Sequence, residues 1–287
     1  MPISMITGAL FSDHLQALNE SVAYLIFILL LFTFNKLEPS QLGLGRLHIV
    51  LLTLQMVLAA GMYSLLSPFS ELQAQGVMIC LFCPTASAAA VITGLLRGNV
   101  AFVTTYTLLS NLLVAILSPF IFSYVQDMVN VNFLSSSLHI FEKVFPLLLG
   151  PLLLAWLIRY LLPSVQAGLQ KIGHYSFYVW VLALMIVTAR TVNSIAGLPR
   201  AQYRDLFFLS VGSLLCCLLQ FALGKYLGRR YGDKIAGGQS LGQKNTILAI
   251  WMTHTFLSPM VAFAPSMYIL WQNIINSIQV YRVKQVK

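Results

Sequence analysis

The sequence predicts an all-α membrane protein with about nine transmembrane helices, arranged as an inverted repeat of four and five in which two helices are discontinuous. Composition gives the first reason. Of 287 residues, 58% are apolar and only 9% charged, whereas a soluble domain carries roughly a quarter charged residues. The second is length: apolar runs of 18 or more residues recur along the chain, each able to cross a hydrocarbon core of about 30 Å. The third is the interruption of two of these runs by Pro, Gly and polar residues. The alternating segments of a membrane barrel are absent, so the spanning elements are helices.

In chain order, residues 1–20 contain Asp13 and Glu20 and are too short and polar to cross alone, although Ile6 to Phe11 suit an interface. They are expected to form an extracytoplasmic N-terminal segment. No Lys or Arg precedes Lys36, so the start lacks the basic region of a signal peptide and reads as mature protein. The first repeat, 21–124, holds spans near 21–35, 47–64, 76–97 and 100–124. A connecting loop, 125–140, leads to the second repeat, 141–281, with spans near 141–162, 176–194, 205–226, 238–262 and 265–281. A basic tail, 282–287, closes the chain.

With nine spans the termini lie on opposite sides, and basic residues decide which is inside. An outside N-terminus puts twelve on the inner side: Lys36, Arg46, Arg97, Arg159, Lys171, Lys225, Arg229, Arg230, Lys234, Arg282, Lys284 and Lys287. Four remain outside: Lys143, Arg190, Arg200 and Arg204. The expected topology is N-out, C-in. The net charge of +9 is therefore topological, since it forms no dense patch for nucleic acid.

The third span carries Cys83-Pro84-Thr85-Ala86-Ser87-Ala88-Ala89-Ala90, where proline removes a backbone donor and small residues permit close packing. The eighth opens with Gly237-Gly238-Gln239-Ser240-Leu241-Gly242-Gln243-Lys244-Asn245-Thr246, too polar for a lipid-facing helix. Irregular backbone at membrane depth needs protein or a cavity around it. The corresponding positions of the two stretches point to crossing broken helices whose half-helix ends line a binding site. Simple Pro- or Gly-kinked helices are the alternative.

All eight carboxylates fall in loops or at span edges, so the bundle lacks the buried acid that cation-coupled carriers usually keep. Lys244 is the one strong basic candidate within the polar run. An ammonium at a helix centre costs on the order of 3 kcal/mol, so it normally faces a cavity or partner. Alternatively, the eighth helix starts later and Lys244 is a loop charge. His254 suits donation to an anion or a core role bonded to a carbonyl. Cys80 and Cys83 show a C-x-x-C spacing without a second pair or a nearby His, so they read as small apolar residues and no metal is expected. The motifs of metalloproteases, serine hydrolases and P-loop enzymes are missing. The chain is not expected to be an enzyme or to use a cofactor.

At these stretches the chain resembles the bile acid:sodium symporter family, which also contains bacterial pantothenate and other organic-anion transporters. The resemblance runs from about residue 21 to 281 and is most specific in three stretches: Pro84 to Asn99, ending Leu95-Leu96-Arg97-Gly98-Asn99; Gly242-Gln243-Lys244-Asn245-Thr246 with Thr253-His254; and Trp271-Gln272-Asn273-Ile274. It implies panel and core domains, crossing helices in the core, and a bacterial inner membrane location. The first helix of longer members is missing, which leaves nine.

Residue by residue, the resemblance implies an altered ion site. A Ser-Asn pair that helps hold sodium in the family falls on Ala89 and Ala90. A glutamate shared by two sodium sites falls on Ser240, and a glutamine four residues on falls on Lys244. Gln55 matches a retained sodium-site glutamine. Ser87, Asn245 and His254 match positions near substrate, and Thr85 joins them at the motif. The expected function is alternating-access transport of a small organic anion, independent of sodium or coupled to protons, with the Lys244 ammonium in the space of one sodium ion. Like charges about 4 Å apart repel by roughly 4 kcal/mol at an effective dielectric near 20, so the two exclude one another. The alternatives are sodium symport through backbone carbonyls, Gln55 and Thr107, or a transport-inactive receptor that kept the fold.

Overall fold

The computed structural model describes residues 2–37, 42–125 and 133–285, and every regular element among them is helical. In chain order these are α1 (Pro2–Leu10), α2 (Ser12–Leu15), α3 (Val22–Asn35), α4 (Arg46–Leu66), α5 (Glu71–Phe82), α6 (Ala88–Leu95) and α7 (Val100–Val125). There follow α8 (Phe133–Leu161), α9 (Pro163–Ile172), α10 (Ser176–Ala196), α11 (Tyr203–Arg230), α12 (Lys234–Gly242), α13 (Thr246–Phe256) and α14 (Phe263–Gln285).

Among the described residues, six stretches are long and apolar enough to cross a membrane: Ser12–Asn35, Arg46–Leu66, Val100–Val125, Leu134–Leu161, Pro163–Ala196 and Tyr203–Arg230. The other three expected spans fall short for physical reasons. The third and eighth are broken into α5/α6 and α12/α13, as their composition predicts. α14 has the length, but Gln272, Asn273, Asn276 and Ser277 lower its hydropathy.

The expected loop 125–140 is partly helix. α8 begins at Phe133, and residues 126–132, with Asp127, lie outside the described residues, as does Glu38. The N-terminal segment is also more ordered than expected. It is helical, and Gly8 of α1 meets the Met185 backbone of α10 so closely that a Cβ would clash, while Asn193 donates to the Ser12 carbonyl at 3.1 Å. α10 continues to Ala196, two residues past the expected span, and Arg190 within it is half-buried about 9 Å from its end.

The described helices form two compact units, one of residues 1–38, 111–197 and 255–257, the other of 39–110, 198–254 and 258–287. In the first, α3 buries Val22, Ile26, Leu30 and Phe34, a four-residue spacing that lines one helix face. Phe27 packs on Gly150 of α8.

The second unit holds both broken helices. Along α4 the buried positions Leu47, Leu51, Gln55, Ala59 and Tyr63 again recur every four residues, which places Gln55 inside an otherwise apolar stripe. α11 and α12 meet backbone to backbone. A Cβ on Gly224 or Gly237 would clash with the other's carbonyl oxygen, and one on Gly228 would meet that of Asp233. Asp233 caps α12 by accepting from Ala236 N at 2.8 Å, and it also accepts from Asn99 N at 3.1 Å. Asn99 in turn caps α7 through Phe102 N at 3.0 Å. Arg97, at φ 64°, makes the left-handed turn between α6 and α7.

Candidate functional site

The two breaks meet. Thr85 and Lys244 form an antiparallel bridge, flanked by Ala86 N to Gln243 O at 3.0 Å and Asn245 N to Pro84 O at 2.8 Å. Each interrupted backbone thus supplies the other's partners, which is how irregular chain persists at membrane depth.

Pro84 sets the chemistry of the first break. The last carbonyls of any helix lack intrahelical donors, and a proline four residues after Cys80 removes one more. Four carbonyls then need partners, and side chains supply all of them. Gln220 Nε2 reaches Cys80 O at 3.1 Å, Lys244 Nζ reaches Leu81 O at 3.0 Å, and Gln55 Nε2 reaches Phe82 O at 2.8 Å and Cys83 O at 3.1 Å. Tyr106 donates to Gln55 Oε1 at 2.9 Å, which fixes the amide. The ammonium therefore sits on the negative end of α5.

At the second break, Thr85 Oγ donates to Ser240 O at 2.6 Å and Tyr268 OH to Gly242 O at 2.9 Å. Tyr268 accepts from Gln220 Nε2 at 3.0 Å. The backbone amides at the bridge are held in matching fashion: Ser110 Oγ accepts from Thr85 N at 3.1 Å, and Gln272 Oε1 from Lys244 N at 2.9 Å. Gln55, Tyr106 and Ser110 on α4 and α7 thus correspond to Gln220, Tyr268 and Gln272 on α11 and α14. Within each set the third residue follows the tyrosine by four positions.

Lys244 is 1% exposed and is the only Asp, Glu, Lys or Arg among the buried described residues. The loop-charge alternative is thereby excluded. Its neighbourhood shows what became of the residues expected to hold ions. Ala89 is fully buried in an apolar cluster with Val103 and Ala236, and Ala90 packs against it. Ser240 is buried, with no partner for its hydroxyl.

The expected site residues separate into groups. Lys244, Gln55, Thr85 and Ser240 belong to one hydrogen-bonded set. Ser87 and Asn245 directly precede α6 and α13; Ser87 is exposed and Asn245 half-buried. Asn245 Oδ1 caps α13 through Leu248 N at 3.3 Å, and its carbonyl accepts from Cys83 Sγ at 3.0 Å. Thr107 donates to Val103 O of its own helix at 2.8 Å, and its carbonyl accepts from Ser110 Oγ at 3.1 Å. His254 is half-buried and about 14 Å along the α13 axis from Asn245, too far to share one carboxylate with it.

Sequence reasoning did not single out Tyr106, Ser110, Gln220, Tyr268 and Gln272 as site residues. Gln220 and Gln272, amides inside apolar helices, carried a readable signal, because such groups must find partners within the bundle. The four cysteines are buried free thiols, and no group of metal ligands occurs among the described residues.

The family model of the Sodium Bile acid symporter family matches residues 33–198. The chain belongs to this family. It is accordingly a multi-pass membrane protein of a transporter family. The matched stretch contains the first break and ends before the second, so Lys244 lies beyond it. No curated protein matches the chain.

Proposed function

We propose that the chain carries small organic anions across the membrane by alternating access, without sodium, with the Lys244 ammonium serving as a covalently tethered cation at the crossing of its broken helices. The observation that carries this is the bond from Lys244 Nζ to Leu81 O, made at full burial and at the negative end of a half-helix. Two further features support it. The Ser-Asn position is filled by methyl groups of Ala89 and Ala90. No buried carboxylate among the described residues offsets the ammonium, so a sodium ion beside it would meet uncompensated repulsion.

The anion is recognised by the half-helix N-termini of α6 and α13, which start beside the bridge. Their positive ends favour negative charge, and Ser87 and Asn245 offer polar groups there. Thr85 stabilises the backbone of this region, and His254 addresses the far end of a longer substrate. The N-terminus lies outside and the C-terminus inside, following the basic-residue bias.

The test is uptake of labelled organic anions into proteoliposomes in sodium and in choline, for wild type and Lys244→Gln. Equal wild-type uptake in both buffers, lost or altered in Lys244→Gln, is expected. Strictly sodium-dependent wild-type uptake overturns the reading. Stimulation by an imposed pH gradient identifies the proton as the coupling ion, and saturable binding without counterflow marks a transport-inactive receptor.

A further inference from the structure

Lysine is a flexible four-carbon stem with a rotatable head, and an isolated lysine in a helix break has many directions open to it. Lys244 takes one. Its backbone is bridged to Thr85 on one side, and on the other it meets a single side chain, Gln272 of α14, which is 2% exposed. Gln272 Oε1 accepts from Lys244 N at 2.9 Å, and Gln272 Nε2 faces Lys244 O at 3.4 Å. One primary amide thus spans both backbone groups of the residue, as a neighbouring strand would.

The corresponding residue of the first repeat does less. Ser110 Oγ accepts from Thr85 N and donates to Thr107 O of its own helix at 3.1 Å, so it holds one backbone group of Thr85 rather than two. The difference tracks the side chains being held. Thr85 is short, and its hydroxyl reaches Ser240 O directly. Lys244 must send its ammonium back to Leu81 on another helix, so any rotation of its peptide groups is amplified along the stem.

We propose that Gln272 is a positioning residue: by gripping both backbone groups of Lys244 it aims the ammonium at Leu81 O and keeps it at the end of α5. This rests on the function proposed above, in which that ammonium replaces a sodium ion. Gln272 itself touches neither the ammonium nor Leu81.

The experiment measures how fast a small acylating reagent modifies Lys244 in the purified protein in lipid nanodiscs, read by peptide mass spectrometry, for wild type, Gln272→Leu and Gln272→Glu. Maleimide labelling of buried Cys80, Cys216 and Cys217 reports in parallel on the integrity of the packing around it. Wild-type Lys244 should be nearly inert. Gln272→Leu should raise its acylation about tenfold, as expected when two neutral hydrogen bonds restraining a local opening are lost. Gln272→Glu, which keeps an acceptor for Lys244 N, should restore most of the protection. Thiol labelling should stay low in all three.

Unchanged acylation in Gln272→Leu overturns the proposal. So does thiol labelling that rises together with it, which would mark general loosening, and so does Gln272→Glu behaving like Gln272→Leu. Failure of the sodium-free reading appears elsewhere, as sodium-dependent uptake by wild type, so the two are separable.

Discussion

At the first break, four consecutive carbonyls from Cys80 to Cys83 are met by two glutamine amides and an ammonium. At the second, Ser240 O and Gly242 O are met by the hydroxyls of Thr85 and Tyr268, and Gln243 O by the amide of Ala86. Part of the plan is shared, since at each break the bridge amide is accepted by a side chain four positions after a tyrosine, Ser110 after Tyr106 and Gln272 after Tyr268. The charge is not shared. A lysine amino group stands at the end of α5, while the end of α12 has only hydroxyl and amide donors. Hydrogen bonds to charged groups contribute about 1.5–3 kcal/mol against about 0.5–1.5 for neutral ones. Two half-helix ends of similar dipole are therefore compensated unequally if Lys244 is charged, as the proposed function requires.

The comparison can be broken most severely through packing. Gly237→Leu inserts a side chain where even a Cβ would strike the Gly224 carbonyl, so size-exclusion chromatography should show loss of monodisperse protein. Gly94→Ala, beside the first break, meets only an ordinary contact with Val100. It should be tolerated, with a gain of up to about 1 kcal/mol from helix propensity.

Removing the glutamines should rank them. Gln55→Leu removes the donor to the Phe82 and Cys83 carbonyls and the acceptor of the Tyr106 hydroxyl, a loss of about 2–6 kcal/mol at roughly 1–3 each for the stranded Cys83 carbonyl and Tyr106 hydroxyl. Gln220→Leu strands Cys80 O alone, and should cost about 1–3 kcal/mol by the same measure in denaturant titrations.

The tyrosines give the smallest and sharpest contrast. Tyr268→Phe removes the donor to Gly242 O and the acceptor for Gln220, so it should destabilise by about 1–2 kcal/mol, while Tyr106→Phe loses one bond to Gln55 and should cost about 1 kcal/mol or less. Thermal unfolding of the pair tests that order. Equal effects would mean that the second tyrosine is not a link between helices.

Much of this architecture was legible in the sequence because lipid imposes few solutions. Apolar run lengths located the spans, and Pro84 and the glycine-rich stretch from Gly237 located both breaks. The polar run around Lys244 marked the place where the two breaks meet. What stayed hidden was pairwise. No local pattern says that the ammonium of Lys244 lands on Leu81 O, since the two are 163 residues apart and are joined only when the breaks cross. Gln220 looked like one polar residue in an apolar helix, because its two partners lie on other helices.

The central claim is that the first break already holds its cation, and the most direct test is thermal unfolding of the purified protein titrated with sodium chloride against choline chloride at constant ionic strength. An ion that binds only the folded state raises the unfolding temperature as its concentration rises. The account predicts that the sodium and choline curves of the wild type coincide. A saturable rise in unfolding temperature specific to sodium would contradict it, because sodium would then have a site that Lys244 does not occupy.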